Sequence, residues 1–191
     1  MSKRNIIATL TGTMILFAWQ AVSWMVLPTH NDTVKYTSNQ SEIMETLQKN
    51  ISSSGMYAIP GVDPSKNLSL EEMEKMNTER LGKPWALVMY NTSFEGLNAA
   101  NMIGGIAINL IAVILVIGLF SMSKAKEKTF AAAFGLIMIF PAFCIFQPVL
   151  QNMNWWDFPW HFIKGEVFDL VIGWMLCGSF LAWYLRKPQR T

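Results

Sequence analysis

Residues 152–169 read NMNWWDFPWHFIKGEVFD and hold three tryptophans, one of the chain's two histidines, and the carboxylates Asp157, Glu166 and Asp169. If residues 157–161 are helical, Asp157 and His161 share a face at i and i+4, a spacing usable for a metal. Together with His30 and Glu166 they form the one set of nitrogen and oxygen donors from which a zinc or copper site could be built. Such a site would serve a metal-dependent membrane enzyme working at the outer interface. Pro159 sits between Asp157 and His161 and opposes the helix that this pairing needs, and nothing fixes a third ligand.

A second group is set apart by where it falls. Asp169, Gln20, Ser23, Asn101 and Asn109 are polar residues inside otherwise apolar runs. A polar group there costs free energy unless it faces protein or water. Counting at helical rise places Asp169, Gln20, Ser23 and Asn101 within about 5–10 Å of the same membrane edge, so they could converge. Asn101/Gly105/Asn109 and Gly165/Asp169/Gly173/Cys177 each recur at four-residue spacing, one face of a helix. Helix packing is the simpler explanation, because small residues let backbones approach and amides bond across the interface. The chemical alternative is an outward-opening polar cavity in which Asp169 binds a cation or carries a proton, the centre of a small-solute, ion or proton transporter.

Trp155, Trp156 and Trp160, with Trp19 and Trp24 at the same end of the first apolar run, fit an aromatic belt at the headgroup level. Lys164 can snorkel beside them. That anchor accounts for every tryptophan of the segment and makes His161 incidental, but it does not require Asp169. No phosphate-cradling glycine loop, HExxH motif or nucleophile with a histidine in sequence context occurs.

The elements that must position these groups are set by composition. Of 191 residues 52% are hydrophobic and 15% charged, too apolar to cover a soluble surface of this size. Four runs, Ile6–Leu27, Leu97–Phe120, Phe130–Phe146 and Val167–Leu185, approach the roughly 20 residues that span a hydrocarbon core. Ala21-Val22-Ser23 has the form of a signal-peptide cleavage site, yet the apolar run continues past it, so a retained anchor is expected. Four spans put Lys3, Arg4, Lys124, Lys126, Lys128, Arg186, Lys187 and Arg190 on one side with a single acid, Glu127. That bias predicts cytoplasmic termini and an outer segment at 28–96. The absence of any basic stripe argues against nucleic acid as a partner. Cys144 and Cys177 fall at depths about 12 Å apart, too far for a disulfide.

Within the outer segment, Val34-Lys35-Tyr36-Thr37 is a possible strand, and Asn39 with Glu42 a possible capping box for a helix stopped by Ser52–Gly55. Met56–Pro60 reads as a strand, Ser69 with Glu72 opens a helix over Leu70–Leu81, and Trp85–Tyr90 is the strongest strand signal. The order is β-α-β-α-β in about 65 residues, marginal for a domain alone. Five Asn-x-Ser/Thr sequons there, at Asn31, Asn39, Asn50, Asn67 and Asn91, fit the chance yield of an Asn/Ser/Thr-rich segment.

The layout resembles claudins and tetraspans in topology, although those families carry cysteines in their outer loops and this segment has none. The expectation is therefore a membrane α-helical protein: a four-helix bundle with a small extracytoplasmic α+β domain. Residues 1–27 form the N-terminus and first span, 28–96 the outer domain, and 97–191 the other three spans. The expected role is a non-enzymatic scaffold or accessory subunit whose outer domain contacts another protein or a second copy. No cofactor is expected. The expected partners are the lipid bilayer and a protein, in a bacterial inner membrane with a periplasmic domain.

Overall fold

A computed structural model describes residues 2–63, 65–127 and 129–186. It is mostly helical and divides into two units, one of residues 1–36 with 97–191, the other of residues 37–96.

The first unit holds the apolar helices. These are α1 (Lys3–Met25), α4 (Ala99–Met122), α5 (Phe130–Cys144) and α7 (Trp160–Leu185), with α6 (Leu150–Trp156) continuing α5 through a wider π turn at Ile145–Val149. Four helical stretches, counting Phe130–Trp156 as one, are long and apolar enough to cross a membrane. Polar residues fix their starts. Ser2, Asn98 and Thr129 each cap a helix by accepting from a backbone N–H three residues on.

α1 lies between α4 and α7, α7 also packs on α5, and α4 meets α5 sparsely. The consequence is an uneven core. Ala8 and Leu16 of α1, Val113, Val116, Ile117 and Phe120 of α4, Ala133 and Ile137 of α5, and Cys177, Leu181, Ala182 and Leu185 of α7 are buried together. All but Leu16, which lies past the middle of α1, belong to the half of the bundle where α1 and α5 begin and α4 and α7 end. At that end Arg4 donates to the carbonyls of Tyr184 and Arg186, capping the otherwise orphaned C-terminus of α7. Outward faces carry Leu10, Met14, Ile103, Ile108, Leu115, Phe143, Phe146 and Trp183, all exposed, the surface that a bilayer would cover.

Two apolar runs differ from expectation. The third does not stop at Phe146 but stays helical to Trp156. Pro148 has no N–H to give, and the π turn around it accommodates that loss without ending the helix. The fourth begins at Trp160 rather than Val167, because Pro159, in extended backbone, serves as its N-cap. His161 and Glu166 are therefore helical residues.

The second unit contains α2 (Gln40–Asn50), β1 (Gly55–Ile59), α3 (Leu70–Arg80) and β2 (Ala86–Tyr90). β1 and β2 pair antiparallel, with Gly55 opposite Tyr90 and Ile59 opposite Ala86. The capping box at Ser69 and Glu72 forms, and its hydrogen bonds hold the Glu72 carboxyl below its ordinary range. Asn39 makes no side-chain cap. The strand expected at Val34–Thr37 is absent: Val34 and Tyr36 are 80% and 81% exposed, and β1 and β2 pair only with each other. Without a third edge to join, an alternating tetrapeptide gains nothing from extended pairing. Among the described residues of this unit Tyr90 alone is buried.

Candidate functional site

The site is built where α1 ends. Leu27 is extended and Pro28 opens a tight 3-10 turn, Pro28–His30, which doubles the chain back over the last turn of α1. That reversal lays the His30 ring on Trp24, with centroids 3.9 Å apart and planes 11° from parallel. It also brings His30 to Ser23, one helical position earlier and fully buried.

α7 supplies the third group. His30 Nε2 lies 3.1 Å from Ser23 Oγ and 3.1 Å from Asp169 Oδ2, while Ser23 Oγ donates to the other carboxylate oxygen, Oδ1. Thr33 Oγ1 stands 3.5 Å from His30 Nδ1. The His30 side chain is 5% exposed and that of Asp169 16%.

Two glycines of α7 make room for this. A Cβ on Gly165, one turn before Asp169, would lie 2.8 Å from both Cε1 and Nδ1 of His30. A Cβ on Gly173, one turn after, would lie 2.9 Å from Trp19 Cδ1. The Gly165/Asp169/Gly173 stripe is thus a packing surface whose load is the site itself. In the first turns of α7, Lys164 Nζ meets Asp32 Oδ2 at 2.6 Å and ties the turn to this helix, holding the exposed Asp32 carboxyl below its ordinary range.

Serine, histidine and aspartate suggest a nucleophilic triad, but the connectivity is wrong for one. A triad base uses one ring nitrogen toward the nucleophile and the other toward the carboxylate. Here Ser23 and Asp169 share Nε2, and the serine hydroxyl is spent on the carboxylate. A nitrogen that donates its proton to Asp169 has no lone pair with which to deprotonate Ser23. What the arrangement does well is hold an ionised carboxylate with two donors in a nearly dry place, and pass a proton between a carboxylate and an imidazole.

The cluster lines a cavity of about 440 Å³ between α1, α4, the α5 end and α7. Trp19, Trp24 and Trp174 give it aromatic walls, and Ile108, Val149 and Cys144 also line it. Glu166 faces it with no hydrogen-bond partner among the described residues, and the indole Nε1 of Trp19 is buried without an acceptor. Deeper in the same wall Asn109 Nδ2 donates to Gln20 Oε1 at 2.8 Å and Gln20 Nε2 returns a bond at 3.4 Å, joining α4 to α1.

The expected polar set therefore assembles in part. Asp169 and Ser23 meet directly, Gln20 and Asn109 form a second pair in the same cavity, and Asn101 belongs to neither. It is exposed and serves as the third residue of α4, its Oδ1 accepting from the Asn98 N–H at 3.0 Å. The four metal candidates do not gather. Asp157 is an exposed left-handed residue ending α6, so it and His161 do not share a helix. Among the described residues no three of His, Cys, Asp and Glu form a group able to hold a metal ion.

Of the five tryptophans expected at the membrane boundary, Trp155, Trp156, Trp160 and Trp24 are exposed, and Trp155 donates to Gln151. Trp19 and Trp24 also build the site. The sequence offers no register between His30 and Asp169, 139 residues apart, and no signal that Thr33 stands beside the ring. Pro28, which forces the reversal, and Gly165, which accepts the ring, were the local signals.

No protein-family model, curated protein or solved structure matches the chain. The site's chemistry has to be argued from its own geometry.

Proposed function

We propose that this is a multi-pass membrane protein whose helical bundle binds a small solute or proton in the cavity beside Asp169 and moves it across the membrane. One observation carries the reading: Asp169, the carboxylate that neither anchoring nor capping requires, converges with His30 and Ser23 in a cavity wall at the loosely packed end of the bundle. Intramembrane ionisable residues are costly and mark substrate or proton paths when they face a cavity. Under the basic-residue bias of the sequence, that end lies on the extracytoplasmic side and the tightly packed end on the cytoplasmic side. A packed inner half below an open outer half is the shape of one end state of alternating access.

The test is flux. Purified protein reconstituted in vesicles with an internal pH dye should dissipate an imposed pH gradient, and Asp169→Asn should abolish this while leaving the detergent-purified protein monodisperse. Wild-type vesicles as tight as protein-free ones to protons would sink the proton form of the proposal.

The second unit favours an additional role in protein contacts. It buries only Tyr90 among its described residues and exposes Ile43, Met44, Met56, Leu70, Trp85 and Met89, more apolar surface than so small a unit leaves bare at no cost. Native mass measurement in mild detergent would read this directly: a lone monomer without partner counts against it.

A further inference from the structure

Resting on the proposal that the cavity beside Asp169 is a binding site, we infer that its ligand is an organic cation, an amphiphile with an ammonium-type head and an aromatic or aliphatic body.

The charge balance of the cavity wall comes first. It holds two carboxyl groups, Asp169 and Glu166, the imidazole of His30, and neither lysine nor arginine. Asp169 is engaged by Ser23 and His30, whereas Glu166 is the wall's one carboxyl group with no hydrogen-bond partner among the described residues. A cation at that end would meet one free carboxylate and the field of another.

The lining then separates an organic from an inorganic cation. A bare metal ion needs several oxygen or nitrogen ligands at short range. This wall is mainly indole and aliphatic, and no group of three acidic, histidine or cysteine side chains forms among the described residues. Indole faces instead favour alkylammonium groups, through the negative face of the ring. A volume of about 440 Å³ is that of a small-molecule pocket.

The experiment uses full-length protein in detergent and two probes followed by calorimetry: benzyltrimethylammonium and its neutral carbon isostere neopentylbenzene. The permanent charge keeps probe protonation out of the result. The inference expects the cation to bind at least tenfold more tightly than the isostere, and Glu166→Gln to remove most of that difference without changing the melting temperature. Equal binding of cation and isostere, or cation binding untouched by Glu166→Gln, overturns it. Failure of the two proposals is distinguishable. Charge-selective binding without flux in vesicles ends the transport reading and leaves this one standing, and proton flux without charge-selective binding does the reverse.

Discussion

Gly165→Ala tests the site most sharply, because the same chemical change has opposite consequences at two glycines of apolar helices. In a helix interior, glycine to alanine is favourable by about 1 kcal/mol from backbone entropy alone. At Gly105 of α4 nothing lies within 4 Å of the new methyl, so that gain should appear undiminished. At Gly165 the methyl would stand 2.8 Å from two atoms of the His30 ring, inside van der Waals contact. The ring cannot retreat freely, since Trp24 covers it at 3.9 Å and Nε2 is held by both Ser23 and Asp169. Either the helix shifts, at the roughly 1–3 kcal/mol typical of overpacking, or the ring leaves and Asp169 loses a charge-assisted hydrogen bond of about 1.5–3 kcal/mol. Set against the propensity gain, the net should be a loss of up to about 2 kcal/mol. For a chain of this size, each kcal/mol moves the melting temperature by about 2–4 °C. Thermal unfolding in detergent should therefore move down for Gly165→Ala and up for Gly105→Ala, and the His30 imidazole ¹⁵N signals should change in the first variant alone. If Gly165→Ala stabilises as Gly105→Ala does, His30 does not sit against α7 and the site described above is wrong.

Further outcomes follow from the same contacts. Asn109→Leu should cost about 1 kcal/mol by stranding the Gln20 amide, while the double change with Gln20→Leu should be close to neutral, read as a double-mutant cycle in thermal unfolding. The Lys164 contact depresses Asp32, so its contribution is present above the ordinary carboxylate range and lost as the pH falls through the lowered value. Hydrogen exchange over residues 28–33 should accordingly rise only in strong acid in the wild type, and should be high at all pH in Asp32→Asn. Cys177 is 0% exposed, whereas Cys144 is part-exposed and lines the cavity. A small maleimide should label one thiol, and Cys144→Ser should abolish labelling.

The helical architecture was legible because its causes are local. Twenty-residue apolar runs, the Ser69–Glu72 box and the short apolar Met56–Pro60 and Trp85–Tyr90 segments each encode their element within one window, and each element is found. Errors arose where a proline's effect depends on its surroundings. Pro148 was accommodated inside a widened helix and Pro159 became a cap, so the third and fourth apolar helices are longer than hydropathy drew them. The strand at Val34–Thr37 failed for want of a partner, which no four-residue pattern can announce.

The site divides in the same way. Sequence alone singled out Asp169, since a carboxylate in an apolar helix must be answered by something. It also set Gly165 and Gly173 one turn to either side, because helical periodicity is a local property. Which group answers Asp169 was decided by the fold. By sequence His30 groups with Asp157, His161 and Glu166, because all four are expected near one membrane edge. The Pro28 turn instead folds it back over α1, onto the space that Gly165 leaves. Asn101, equally polar and at a similar depth, faces away and caps its own helix. Depth along an axis follows from counting residues, but the azimuth of one helix against another is set by packing across the whole bundle. That angle is what placed a histidine, a serine and an aspartate in one cavity wall.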